Sequence, residues 1–303
     1  GGPAIDCPSY QAAPFEVRRC EQTIMAHERA VCALTVVDHY IVTASGDHKL
    51  RVFNSKTWEC EQVLEGHENA IVVVKAFDGK LISASPDRTI RIWSTKTWST
   101  IRILNTGKSA TCSMALIDGK LITGSDDGCL KSWSVTGWSL LRTVTAHLHV
   151  VWALARYSSD VIISGSSDTT IKVWKVSRND FALITTITVH KDEVQALTVD
   201  QKNHWLIAGS DDGRISIHDC KTWTCIRTLG WESRAVLSLI NYGSKIIAGL
   251  GNGVVSIWDK STILTSDECL NLEEHKNCVM ALAVVDSKLV TAGYDRSIKV
   301  WGP

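Results

Sequence analysis

The chain of 303 residues has no excess charge of either sign: Lys plus Arg and Asp plus Glu number 32 each. Without a net field to draw a polyanion, nucleic-acid binding and attachment to an anionic membrane are disfavoured, and a local basic patch is the only route left to either. No apolar run approaches the ~20 residues needed to cross a bilayer. The N-terminal stretch GGPAIDCPSYQAAPF lacks the charged-then-apolar order of a signal peptide. Ten cysteines are present, but no pair has the C-x-x-C spacing of a zinc or redox site. Most lie in apolar stretches, such as AVCALTVV around Cys32 and NCVMALAVV around Cys278, where reduced thiols pack as small hydrophobes. No G-x-S-x-G, P-loop or H-E-x-x-H occurs, and no segment has sustained helical periodicity. These absences argue against an enzyme, a metal or a cofactor, and predict an intracellular protein, cytoplasmic or nuclear.

What the sequence does have is a repeat. LISASPDRTIRIW at 81–93 returns as LITGSDDGCLKSW at 121–133 and as LVTAGYDRSIKVW at 289–301. The turn aspartate recurs at Asp47, Asp87, Asp127, Asp168, Asp212 and Asp295, with Asn252 filling the remaining place. The spacing is 40–44 residues, so the chain holds seven copies from about residue 17 onward. Each copy divides into four short β-branched runs. In the second copy AIVVVKAF leads into an Asp78-Gly79 hairpin, KLISAS and TIRIW follow, and KTW opens the outer run. A four-stranded unit of this length, carrying an Asp turn and a Trp, is the signature of a β-propeller blade.

The chain beyond residue ~16 resembles the WD-repeat (WD40) family. The resemblance implies an all-β, seven-bladed propeller over 16–303, preceded by a tail at 1–15 in which Gly1, Gly2 and Pro3 read as an expression scar. It also implies a hydrogen-bonded tetrad in which Asp fixes His, His meets Ser or Thr, and Ser or Thr reaches the Trp indole. Three complete sets match: His67, Ser83, Asp87 and Trp93; His147, Ser164, Asp168 and Trp174; His275, Thr291, Asp295 and Trp301. A hydrolase triad is set against this by the periodicity, because a catalytic constellation is one site and not three copies. Other copies depart: Phe53 replaces the first Trp, Gly107 the third His, and Ala208 with His218 leaves the fifth copy a partial network. The sixth has Trp231, Ala248 and Asn252, so copies five and six are expected to be the least rigid unless Trp231 packs in compensation. The last copy stops at Trp301, the end of its third run, and EVRRCEQTIM at 16–25 looks like the outer runs elsewhere. The N-terminal strand is therefore expected to complete the last blade and close the ring.

By the same resemblance, the residue five beyond each His and the residue before each Asp line the channel mouth on the narrower face. The first set reads Cys32, Val72, Cys112, Trp152, Gln195, Val236 (or the residue beside it, the sixth register being open by one) and Met280; the second reads Gly46, Pro86, Asp126, Ser167, Asp211, Gly251 and Tyr294. Trp152, Met280 and Tyr294 are the candidate anchors, with Gln195 beside them and with Asp126 and Asp211 selecting positive charge. Four further tryptophans, Trp58, Trp98, Trp138 and Trp223, precede outer runs and are read as wedges between blades, with an aromatic binding surface as the alternative. The resemblance implies a non-catalytic scaffold for other proteins or peptide segments, monomeric as an isolated domain. The short joins VVDHYIVTAS and AFDGKLISAS suggest the recruiting propeller of a ubiquitin ligase. Set against this are a phosphopeptide-binding or kinase-linked propeller using Arg29, Arg88, Arg234 or Arg296, a nucleic-acid module and a propeller enzyme.

Overall fold

The computed structural model describes residues 16–177, 180–230 and 234–303, and it is built from strands throughout, without a helix among the described residues. Twenty-eight strands form seven antiparallel sheets of four. Blades 1 to 6 take their strands in chain order, from Val31–Val37 out to Cys60–Leu64 in blade 1 and from Val236–Tyr242 out to Leu270–Leu272 in blade 6. The first strand of each blade packs beside the first strand of the next, and blade 7 returns to blade 1, so the ring is closed.

The local chemistry accounts for the hairpins. Asp78 and Gly79 sit at φ 46° and 65°, Asp118 and Gly119 at 44° and 66°, and Asp286 and Ser287 at 48° and 62°, two successive left-handed residues that match the strand twist. Each blade is apolar on both faces, and its burial lies in the joints: the described residues form seven hydrophobic clusters, one per blade interface. Blades approach so closely that a Cβ on Gly165 would lie 2.7 Å from Val194 Cγ1 of the following blade.

The four tryptophans before outer strands are wedges. Trp58 packs into the blade 7–blade 1 cluster, Trp98 against blade 1, Trp138 against blade 2 and Trp223 against blade 4. Trp98 and Trp223 meet Tyr40 and Tyr157 edge-on, with ring centroids 5.6 Å apart in both pairs. All four have positive φ, from 53° to 61°, a conformation that costs a bulky residue ~1–2 kcal/mol and is tolerated here because the ring fills the joint. Blade 6 has no such Trp. Ile263, 1% exposed, fills the equivalent joint from the longer 260–268 insertion. Trp231, the residue expected to compensate in this blade, lies outside the described residues.

Ring closure uses the two ends of the described chain. Arg19–Met25 pairs antiparallel with Ser297–Gly302, Cys20 opposite Trp301 and Met25 opposite Ser297. Arg18 N–H donates to the Gly302 carbonyl at 2.8 Å, and Lys288 meets Glu21 at 2.7 Å. Removing residues 1–26 leaves the Ser297–Gly302 edge open. The truncated chain is expected to lose its single cooperative thermal transition and to elute as aggregate in size-exclusion chromatography; a monomeric product melting as the full chain does would refute the role of this strand.

Candidate functional site

The loops of one face are held by the tetrads. His67 Nδ1 donates to Asp87 Oδ2 at 2.7 Å, which leaves Nε2 to accept the Ser83 hydroxyl at 2.8 Å; Ser83 Oγ then accepts the Trp93 indole N–H at 2.9 Å. The same chain runs through His147, Asp168, Ser164 and Trp174 at 2.9, 2.7 and 2.9 Å. It recurs through His275, Asp295, Thr291 and Trp301 at 2.8, 2.6 and 2.9 Å. Burial pushes the Asp87 carboxyl up, but hydrogen bonds from Thr89, His67 and the Glu68 amide together outweigh it and hold the group below the carboxylate range. Burial lowers His67 in turn, with Asp87 opposing, so the relay is a neutral imidazole on a carboxylate.

Blade 5 corrects the expectation of a partial network. Ala208 cannot supply a hydroxyl, but Ser216 on the third strand does: His190 Nε2 and His218 Nε2 both lie on Ser216 Oγ, at 2.8 and 2.9 Å. Because His190 Nδ1 faces Asp212, its Nε2 accepts from Ser216, and His218 Nε2–H takes the part of the missing indole. His218 Nδ1 is then a buried acceptor without a hydrogen-bond partner among the described residues. Burial, with His190 adding, pushes His218 down to about 4. In blade 1 His27 is held by Asp47 at 2.9 Å and Thr43 at 2.8 Å, with Phe53 in the Trp place. In blade 3 the histidine is absent, and buried Lys131 bonds the Thr106 carbonyl and Ser109 hydroxyl instead, at 2.8 and 2.7 Å.

Six first strands carry a one-residue bulge near their start: Cys32, Cys112, Trp152, Gln195, Leu237 and Met280 are the extra residues. A bulge turns one side chain out of the ladder, and here it does so at a fixed place around the ring. The sixth member is Leu237 and not Val236, which pairs with Leu250 and is wholly buried.

Between blades 4 and 5 these residues form one polar chain. Half-buried Trp152 donates its indole N–H to Ser167 Oγ at 2.8 Å and Glu193 Oε2 at 2.7 Å. Gln195 Nε2 bridges Glu193 Oε2 at 3.1 Å and Asp211 Oδ2 at 3.0 Å, while Asp211 Oδ1 is buried without a hydrogen-bond partner among the described residues. Burial raises the Asp211 carboxyl; the Gln195 bond works against this, and Glu193, Asp192 and Asp212 reinforce it. Asp126, in blade 3, caps the Ala110 amide at 2.9 Å and is not joined to this chain by any hydrogen bond. Tyr294 of blade 7 is 47% exposed, and burial with neighbouring Cys32 and Cys278 raises its hydroxyl. Trp152 and Tyr294 stand in non-adjacent blades and share no ring contact, and Met280 is partly buried on the blade 7 strand. The structure thus brings Trp152, Gln195 and Asp211 together and leaves Asp126, Met280 and Tyr294 elsewhere on the ring.

Sequence reasoning missed Glu193, although a signal existed. The other copies have Ala30, Ala110, Val150, Ala235 and Cys278 at this backbone position, so a carboxylate there is out of pattern. The bulge thiols are not activated: burial pushes Cys112 up to about 12, with Asp126 and Asp127 adding, and Cys32 to about 11. Among the described residues no group of three His, Cys, Asp or Glu is placed to hold a metal.

The comparisons with known proteins agree with this architecture. The family described as "WD domain, G-beta repeat" matches residues 18–54, 58–94, 138–175, 181–219 and 267–302, more than half of the chain. Pre-mRNA-processing factor 19 of Oryza sativa subsp. japonica is 28% identical over 167 residues, 52% of this chain and 31% of that protein. The guanine nucleotide-binding protein subunit beta of Zea mays is 23% identical over 48% of this chain and 41% of its own length. The chain spans less than half the length of these curated relatives. The crystal structure of the computationally designed Ika8 protein has the same fold, with a TM-score of 0.73 at 21% identity over 93% of this chain and 98% of that one.

Two measurements check the tetrads. Asp87→Ala strands His67 and the Glu68 amide and is expected to lower stability by ~1–3 kcal/mol in urea melts. Asn252→Ala, whose amide oxygen accepts one backbone bond at 3.3 Å, is expected to cost less, and the reverse order would refute the assignment. The second measurement is pH dependence. With His218 near 4 in the fold and 6.5 as the ordinary value, the unfolded chain takes up the proton first as pH falls. The stability due to neutral His218 is complete above about pH 6.5 and drains away towards pH 4. His218→Gln keeps a donor for Ser216 and removes the titration. Between pH 7 and 4.5 it is expected to lose less stability than the parent by on the order of 2 kcal/mol, and equal losses would refute it.

Proposed function

Because the chain belongs to the WD domain, G-beta repeat family, whose propellers generally serve as non-catalytic protein-interaction scaffolds, we propose that it is the partner-recruiting propeller of a larger intracellular protein. The channel mouth on the tetrad-held face is the recruiting surface. Trp152 carries this reading: it is the large aromatic among the bulge residues, it is only half-buried, and its indole is fixed by Ser167 and Glu193 before any partner arrives. Preorganised aromatics of this kind dominate interface energetics, and loops on a rigid scaffold are where such residues concentrate. Glu193 and Asp211 stand beside it without a cation from the described residues in their hydrogen-bond network, which favours a Lys or Arg side chain over a phosphate. A ubiquitin ligase is the assembly we favour, on the strength of the short joins between first and second strands and of the greater length of the relatives.

Trp152→Ala is expected to keep the folded circular-dichroism spectrum and most of the thermal midpoint while losing partner capture from cell lysate. Glu193→Gln with Asp211→Asn is expected to weaken the same partners, and added salt to weaken them in the parent chain. Capture that survives all three substitutions would remove the mouth as the site. A loss of ~3–5 kcal/mol in Trp152→Ala would instead make the residue a core side chain.

A further inference from the structure

The outer strand of a blade is the edge of its sheet, and six of the seven carry a bulge near their start. In blades 7 and 1 the bulged residue is Glu21 or Glu61, a charged residue on an exposed edge. In blades 2, 3 and 5 it is apolar and followed by arginine: Ile101-Arg102, Leu141-Arg142 and Ile226-Arg227, with the arginines in equivalent register opposite Ile92, Ser132 and Ile217.

Two of these arginines already have an occupant from the following blade. Arg227 Nη1 donates to the Leu264 carbonyl at 2.9 Å and Nη2 to the Asp267 carboxylate at 2.6 Å, both in the 260–268 insertion of blade 6. Arg142 Nη2 stands 3.5 Å from Asp180, in the corresponding join of blade 4. The join that faces blade 2 is Val135-Thr136-Gly137-Trp138-Ser139, and it holds no carboxylate. Arg102 is exposed and makes no hydrogen bond or ion pair among the described residues. Ile101 and Ile103 beside it are each 50% exposed, and its strand, Thr100–Asn105, contains no acidic residue.

We infer that the outer edge of blade 2 docks an acidic segment of another protein, an apolar residue followed three positions later by aspartate, as Leu264 and Asp267 dock on blade 5. The arginine fork takes the carbonyl of the first residue and the carboxylate of the second, and Ile101 and Ile103 flank the fork. An isolated exposed ion pair contributes little, so the second hydrogen bond supplies the specificity. The surface is small and the interaction accordingly transient. It is separate from the channel mouth and does not depend on it.

The chain supplies its own probe, the peptide Ser-Thr-Ile-Leu-Thr-Ser-Asp-Glu that copies residues 261–268. Titrated into isoleucine-methyl-labelled full chain, it is expected to shift the Ile101 and Ile103 resonances saturably. Arg102→Glu, or asparagine in place of the peptide aspartate, is expected to weaken binding at least tenfold, while Trp152→Ala leaves it unchanged. No saturable shift at millimolar peptide would overturn the inference, as would shifts confined to Ile226 or equal binding by Arg102→Glu. Binding to phosphatidylserine vesicles that Arg102→Glu abolishes, with no response to the peptide, would overturn it in favour of a membrane surface.

Discussion

A four-stranded sheet that is apolar on both faces cannot bury either of them alone, and everything else in this structure follows from that constraint. Each blade needs a neighbour on both sides, so the only arrangement without an uncovered face is a closed ring. The seven clusters in the joints are therefore the core of the protein, distributed around the circle and not gathered in one place. Closure by Arg19–Met25 against Ser297–Gly302 turns a row of blades into a ring whose last joint is as well filled as the others.

The joints tolerate different chemistry provided the space is filled and the polar groups are bonded. Four blades fill the outer part of a joint with a tryptophan held in a left-handed conformation, and blade 6 does so with Ile263 from a longer insertion. The tetrads show the same latitude. Blade 5 moves the hydroxyl from the second strand to the third and replaces an indole by His218, keeping the donor order and gaining a titratable group that the other blades lack. Blade 3 keeps its Trp133–Thr123 bond and replaces the histidine by a buried lysine on backbone and hydroxyl oxygens.

A rigid ring displays what its bulges turn outward. On the first strands the bulges turn single side chains out of the ladder near the strand start, where Trp152 is fixed by a neighbouring blade. On the outer strands they aim side chains at the rim, where the arginine beside the bulge is met by a carboxylate of the following join in two blades and, among the described residues, by none in a third. Both surfaces arise from one device, an extra residue in a regular ladder, used at opposite ends of the blade.

The repeat, the number of blades, the strand that closes the ring and the three complete tetrads were all legible in the sequence. The repeat and the number of blades rest on local periodicity and on residue types at fixed spacing, and the tetrads on the resemblance to the family, which three copies match in full. Only the tertiary structure decided the rest. Ser216 could not be read as the hydroxyl of blade 5, because its role depends on two histidines, 26 and 2 residues away, converging on one oxygen. Leu237 displaced Val236 because a one-residue bulge reverses which side chain leaves the ladder. Glu193 reaches Trp152, and Asp267 reaches Arg227, across blade joints about 40 residues apart in the chain. Contacts of that kind belong to the packing of neighbouring repeats, and no pattern within a single repeat encodes them.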